Sequence, residues 1–118
     1  LPVSAPFHTQ LMKPAGEHLA EVMAGMMISS PKIPVVHNVN ATVEPDPEKI
    51  RTLLVEQIYS PVQWTACMRR VIEAGAQHIV ECGPGKVLSG LSRRIEKTLH
   101  CYSLEEPEAL LATAAELK

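Results

Sequence analysis

The sequence predicts an α/β fold with a partial, mainly parallel sheet and flanking helices. Three observations support this prediction: helical and strand-like segments alternate, prolines and glycines separate them, and apolar spacing changes from helical to short β-branched runs. The chain has 118 residues and is 46% hydrophobic but only 3% aromatic, so its core must be aliphatic. This length fits one modest domain or a section of a larger one.

The first half of the chain predicts a helix, a strand and a second helix. Residues 11–27 have apolar side chains at helical spacing, and Pro14 fits a first turn, where no intrahelical donor is lost. Residues 33–39 are valine-rich and predict a strand. Asp46 is suited to cap the second helix, with Pro47 in its first turn. The predicted buried face of that helix is aliphatic: Ile50, Leu53, Leu54 and Ile58.

The second half predicts two further strands, each followed by a helix. Ser60 and Pro61 indicate the start of a third helix, and Gly75 is suited to end it in a left-handed conformation. Residues 78–82 predict a strand, and residues 101–104 another. The fourth helix follows residues 83–85, and Glu106–Pro107 opens the fifth. The fourth helix has four apolar residues on one side, Val87, Leu88, Leu91 and Ile95, and the apolar residues of the fifth are Leu110, Leu111, Ala114 and Leu117.

Two or three parallel strands form too small a sheet to stand alone. Parallel sheets are covered on both faces, so we expect preceding strands to complete this one. The chain starts at Leu1 without an initiator Met, which also suggests a processed or partial chain.

Composition excludes several classes of function. The formal net charge is −2, which is unlike a nucleic-acid-binding protein. No apolar run approaches the length of a membrane span, and no secretory signal begins the chain. Three cysteines without C-x-x-C spacing predict reduced, mostly buried thiols in a cytoplasmic protein, and no histidine or cysteine pattern predicts a metal site. The second half carries basic residues that could meet an acidic partner: Arg69, Arg70, Lys86, Arg93, Arg94 and Lys97.

Three segments could carry chemistry. His8 follows an extended segment and Phe7, and a neutral imidazole there could accept a proton or be merely structural. Residues 57–64 (QIYSPVQW) combine the end of one helix with the start of the next. Backbone carbonyls at such a break are free and could accept a hydrogen bond from an imidazole N–H; alternatively, the segment only separates the two helices. Residues 81–86 (ECGPGK) form either a plain strand-to-helix turn or a contact for a phosphate or acidic partner; they lack the P-loop spacing.

Four motifs, in order along nearly the whole chain, resemble the malonyl-CoA–acyl carrier protein transacylase family. They are SAPFH with LMKP at residues 4–14, PVVHNVNA at residues 34–41, QIYSPVQW at residues 57–64 and ECGPGKVLSGL at residues 81–91. Thr9 and Asn40 are small departures, since members of this family often carry Ser and Asp there.

The resemblance implies transfer of a malonyl group from coenzyme A to acyl carrier protein through a malonyl-serine ester, in fatty acid biosynthesis and without a cofactor. It implies that His8 is the general base, that the main-chain carbonyl of Gln57 orients it, and that Phe7 contributes to substrate binding by favouring malonyl over methylmalonyl. A carbonyl fixes the ring position and tautomer of a histidine, whereas the carboxylate of a Ser-His-Asp triad also stabilises the imidazolium.

The serine nucleophile of the family lies in a G-H-S-x-G motif, and no G-x-S-x-G occurs in this sequence. The resemblance therefore identifies residues 1–118 with the C-terminal section of the large α/β-hydrolase-like acyltransferase subdomain. Its N-terminal half and the small ferredoxin-like subdomain would have to come from elsewhere, and the chain alone should be inactive. The alternative is a non-catalytic α/β module that uses its basic second half to bind acyl carrier protein.

Overall fold

The structure is a computed structural model that describes residues 5–118. The extended segment expected before His8 therefore lies partly outside the described residues, and Ser4 of the first motif lies outside them as well. The chain divides into two compact units, Leu1–Arg70 and Val71–Lys118, which are described separately below.

The first unit contains two helices packed against each other, α1 (Lys13–Ala24) and α2 (Pro47–Tyr59). A short 3-10 turn, Gln10–Met12, leads into α1, and Pro14 lies in the first turn of that helix as predicted. The sequence prediction of one helix over residues 11–27 was therefore correct in type and too long at its C-terminal end.

The N-terminus of α2 has the cap predicted from the sequence. The Asp46 side chain accepts a hydrogen bond from the Glu48 amide at 2.9 Å, and Pro47 is the first helical residue. A capping carboxylate satisfies an amide that has no intrahelical partner, which fixes where the helix begins. Ile50 is the buried member of the predicted apolar face, and Leu53, Leu54 and Ile58 are half-buried.

The strand predicted for residues 33–39 is wrong. Val36 forms an isolated antiparallel bridge with Val43, and the His37 amide donates to the Thr42 carbonyl at 3.0 Å. Ala41 has a φ of 56°, so the chain reverses direction within a few residues. A strand requires a neighbouring strand along its length. Within the described residues, this segment pairs only at Val36, with Val43 on the other side of the turn.

The third helix, α3 (Trp64–Glu73), begins later than the sequence indicated. Ser60 ends α2 in an extended conformation, and residues 61–63 are not helical. The Gln63 amide instead donates to the Asn38 carbonyl at 2.8 Å. Gly75 has a φ of 95°, which confirms the left-handed conformation predicted after this helix.

The second unit is a β-α-β arrangement followed by a helix. Strands β1 (His78–Glu81) and β2 (His100–Ser103) are parallel neighbours, with His78 opposite His100 and Glu81 opposite Ser103. Helix α4 (Val87–Ile95) connects them and packs on both, and α5 (Pro107–Glu116) packs on β2. The predicted α/β class with parallel strands is confirmed.

The buried side of α4 differs from the prediction. Ser89 and Ser92 are buried, whereas Val87 is 55% exposed. The Ser89 hydroxyl donates to the Tyr102 carbonyl of β2 at 3.2 Å, so small polar side chains bring the helix close to the strands. In α5, Thr113 is buried, while Leu111 is 72% exposed.

The three cysteines are free thiols: Cys67 is buried, Cys101 is half-buried and Cys82 is exposed. Burial raises the pKa of the Cys67 thiol, which keeps that thiol protonated and unreactive. The expectation of a buried thiol is wrong for Cys82, because this residue has left β1 and lies in the following turn.

Within residues 5–118, none of the helices combines the length and the apolar character that crossing a membrane requires. The described part of the chain also contains no group of three or more His, Cys, Asp or Glu side chains arranged to hold a metal ion.

Candidate catalytic site around His8

His8 lies in a tight turn just before the 3-10 segment Gln10–Met12 that leads into α1. Its φ is 58°, in the left-handed region, which costs an L-residue about 1–2 kcal/mol relative to the right-handed conformation. Two local hydrogen bonds brace the turn: the Phe7 amide donates to the Ala5 carbonyl at 2.8 Å, and the Thr9 hydroxyl donates to the Pro6 carbonyl at 2.7 Å. Non-glycine residues in this region are concentrated at functional sites, and the imidazole of His8 is exposed.

The imidazole contacts the end of α2. His8 Nδ1 lies 2.7 Å from the main-chain oxygen of Gln57. A carbonyl oxygen can only accept, so Nδ1 carries the proton whenever this bond forms. Neutral His8 then presents an unprotonated Nε2 on the opposite side of the ring, which is the arrangement that a general base requires.

The sequence explains why the Gln57 carbonyl is available. In a continuing helix this oxygen would accept from the amide four residues later, and that residue is Pro61, which has no amide hydrogen. Helix α2 ends at Tyr59, so the Gln57 carbonyl has no helical partner and accepts a hydrogen bond from the His8 ring instead. The structure thus brings together His8 and Gln57, two of the three residues singled out from the sequence.

Phe7, the third, adjoins the histidine in sequence but is 53% exposed. Within residues 5–118 it does not form the wall of an enclosed pocket. In the described part of the chain, the hydrogen-bond partner of the His8 ring is the Gln57 carbonyl, and no serine hydroxyl bonds to the ring.

The glycine-rich segment after β1 is built around a carboxylate that the sequence analysis did not single out. Glu81 is buried, with 8% of its surface exposed. Its two oxygens accept hydrogen bonds from the amides of Leu88 at 3.0 Å and Ser89 at 2.8 Å. Glu105 accepts from the Gly85 amide at 3.1 Å. The signal available from sequence was an acidic residue at a strand end shortly before a helix start.

These contacts favour one of the two interpretations of residues 81–86. The Leu88 and Ser89 amides in the first turn of α4 already pair with the Glu81 carboxylate, so a phosphate would have to compete with a negatively charged group for them. The Ser89 amide above all lowers the pKa of Glu81, which keeps the carboxylate ionised. The contacts support the interpretation as a strand-to-helix turn, and a contact with an acidic partner through the Lys86 side chain stays a prediction.

Two of the predicted basic residues lie in one groove of the second unit. Lys86 and Arg93 line a polar depression of about 360 Å³ together with Ser89, Gly90, Cys101 and Ser103. The Arg93 guanidinium donates to the Cys101 carbonyl at 2.9 Å, which holds it at the groove. Both cations are exposed and could meet an acidic partner.

Known proteins resemble this chain over nearly its whole length. Malonyl CoA-acyl carrier protein transacylases are 49% identical over 112 residues in Salmonella typhimurium and 40% identical over 118 residues in Bacillus subtilis, covering 95% and 100% of this chain. The chain spans only 36% and 37% of the length of these relatives. No protein-family model matches the chain.

Solved structures give the same result. The malonyl-CoA:acyl carrier protein transacylase of Xanthomonas oryzae is 47% identical with a TM-score of 0.90, covering 98% of this chain and 37% of that one. A malonyl-transacylase in complex with a type II polyketide synthase acyl-carrier protein is 42% identical, also with a TM-score of 0.90, covering 100% of this chain and 38% of that one.

Proposed function

We propose, from the premise that the chain belongs to the malonyl-CoA–acyl carrier protein transacylase family, that it supplies the general-base histidine for malonyl transfer from coenzyme A to acyl carrier protein. The observation that carries this proposal is the 2.7 Å contact between His8 Nδ1 and the Gln57 carbonyl. That contact leaves Nε2 free to take a proton.

The reaction has two halves, each with one proton accepted and one returned. In the first, Nε2 of His8 takes the proton of a serine hydroxyl as its oxygen attacks the malonyl thioester; the C–S bond breaks and the coenzyme A thiolate takes that proton. In the second, Nε2 takes the proton of the carrier thiol, whose sulfur attacks the malonyl-serine ester. The serine oxygen leaves and recovers the proton.

The carbonyl of Gln57 has one role in both halves. It holds the Nδ1–H tautomer and the orientation of the ring, while contributing less charge stabilisation to the imidazolium than a carboxylate would. A neutral orienting group suits a base that must release its proton again to a thiolate.

The serine and the rest of the site would come from a longer polypeptide. The matched part covers only 36% of the Salmonella typhimurium relative. In the described residues the sheet has two strands, each with one unpaired edge, and several large apolar side chains are more than 70% exposed: Leu11, Met27, Ile33 and Leu111. Exposed apolar groups and open edges support the interpretation of residues 1–118 as the C-terminal section of a large α/β-hydrolase-like subdomain.

The proposed cellular setting follows from the same family. The substrates are malonyl-CoA and acyl carrier protein, no further cofactor takes part, and neither nucleic acid nor a membrane is a partner. A cytoplasmic location fits the three free thiols, because disulfides are rare in that compartment.

A complementation experiment tests the proposal. The chain alone should transfer no malonyl group, and mixing it with the unmatched remainder of the Salmonella typhimurium relative should produce malonyl-acyl carrier protein, measured by mass spectrometry. The remainder alone is the control. Transfer by the isolated chain above background would contradict the assignment of the nucleophile to another segment.

Phe7 is expected to set the choice of acyl group. Phe7→Ser in the complemented enzyme should shift the ratio of kcat/KM for methylmalonyl-CoA over malonyl-CoA upward by about tenfold, because removing the ring makes room for an α-methyl group. Phe7→Tyr keeps the bulk and should leave the ratio unchanged. An unchanged ratio in Phe7→Ser would remove Phe7 from the specificity proposal.

The groove with Lys86 and Arg93 favours a second candidate, a non-catalytic module that binds acyl carrier protein. Carrier proteins are acidic partners in this interpretation. The two cations line one depression, and among residues 5–118 its lining includes no carboxylate. The complementation mixture separates the candidates. Tight binding of carrier protein without any restored transfer supports the module, whereas restored transfer supports the enzyme.

A further inference from the structure

A second tie joins the histidine turn to the end of α2, two residues from the first. The Gln10 side-chain amide donates to the main-chain oxygen of Tyr59 at 3.3 Å, beside the 2.7 Å contact between His8 and Gln57. Both bonds join residues that are 49 apart in sequence, so residues 8 and 10 lie alongside residues 57 and 59 in matching order.

The bond to Gln57 fixes one point of the turn at the end of α2. The bond to Tyr59 fixes a second point, so a rotation of the turn about the first bond would have to break the second. The left-handed conformation of His8 makes such support necessary, since this backbone is retained only where its surroundings over-determine it.

The anchor for the second bond is itself fixed. The Tyr59 ring packs against Gly16 of α1, so closely that an added Cβ at Gly16 would lie 2.8 Å from a ring carbon. Tyr59 is also the last residue of α2, where its carbonyl has no helical partner. Gln10 therefore bonds to a backbone oxygen held by helix packing.

We propose that Gln10 is a positioning residue that keeps the His8 imidazole in the orientation and tautomer in which Nε2 faces the nucleophile. The catalytic consequence rests on the proposed function, whereas the structural consequence concerns the chain alone. Gln10 acts through the hydrogen that its amide donates and makes no contact with the His8 ring among the described hydrogen bonds.

Two variants separate donation from packing. Gln10→Glu has the same shape but, ionised, cannot donate to the Tyr59 carbonyl; Gln10→Lys restores a donor on a different side chain. In the 118-residue chain, at a pH where the imidazole is neutral, two-bond ¹H–¹⁵N correlations report the His8 tautomer. Nδ1–H should dominate in the wild type and in Gln10→Lys, and Nε2–H should gain share in Gln10→Glu and Gln10→Ala.

In the complemented enzyme, Gln10→Glu and Gln10→Ala should lower kcat about tenfold with KM for malonyl-CoA unchanged, and Gln10→Lys should recover most of it. Gln77→Ala, which removes an exposed glutamine side chain of the second unit, is the control. A wild-type tautomer and kcat in both Gln10→Glu and Gln10→Ala would overturn the proposal. If the tautomer shifts in Gln10→Glu and Gln10→Ala but His8→Ala leaves malonyl transfer unaffected, the positioning role of Gln10 is supported and the proposed function is rejected.

Discussion

Replacing His8 by alanine should lower kcat for malonyl transfer by about a thousandfold in the complemented enzyme. The serine hydroxyl and the carrier thiol would both lose the group that takes their proton, so both halves of the reaction should slow. Acyl-enzyme formation, followed by mass spectrometry after rapid mixing with malonyl-CoA, measures the first half. Release of malonyl-acyl carrier protein measures the second.

His18→Ala is the matched control for this prediction. His18 is an exposed histidine of α1, and its only described partner is Glu21 at 3.7 Å, so its loss should leave transfer unchanged. If His8→Ala retained wild-type kcat while complementation succeeded, the general base would have to lie elsewhere, and the contact with Gln57 would be structural.

Replacing Glu81 by glutamine should lower the midpoint of thermal unfolding of the second unit by several degrees. The carboxylate accepts from two backbone amides at the N-terminus of α4, where negative charge is also favoured by the helix dipole. Glutamine has one acceptor oxygen, so its amide group would face an unsatisfied backbone N–H. Hydrogen exchange at Leu88 and Ser89 should accelerate together with the loss in thermal stability.

The pH dependence of this effect has a definite sign. Hydrogen bonding, first from the Ser89 amide, lowers the pKa of Glu81 in the folded chain below the ordinary value of 4.5. The stabilisation is therefore fully present above that value and is lost as the pH falls through the lowered folded pKa. The difference between the wild type and Glu81→Gln should be constant near neutral pH and shrink in acid.

Glu73→Gln controls for loss of a carboxylate from the surface of the same unit, since Glu73 is exposed at the end of α3. Its unfolding midpoint should match the wild type across the same pH range. Equal midpoints for Glu81→Gln and Glu73→Gln at neutral pH would show that the buried carboxylate does not stabilise the turn.

Local signals in the sequence were sufficient for several elements. Asp46 and Pro47 predicted the start of α2, and Gly75 predicted the end of α3, because caps and left-handed turns depend on residues that are adjacent in sequence. The alternation of segments predicted the α/β class with parallel strands. The four motifs identified the family, which similarity to known transacylases confirms.

The errors arose where a segment depends on what lies beside it in space. Residues 33–39 have the composition of a strand but form only one bridge, between Val36 and Val43. Helix α4 buries Ser89 and Ser92 rather than Val87, since the strands lie on its serine side. Periodicity identifies an apolar face but contains no information on which face another element covers.

The sequence by itself determined the family, the general order of the elements and the candidacy of His8, because these depend on residue identity and on spacing along the chain. Only the tertiary structure decided that His8 Nδ1 lies 2.7 Å from the Gln57 carbonyl, that Gln10 bonds to Tyr59, and that Glu81 occupies the start of α4. The first two contacts join residues 49 apart. Hydrogen bonding demands a precise distance and direction, and only the packing of α1 against α2 sets these for the histidine.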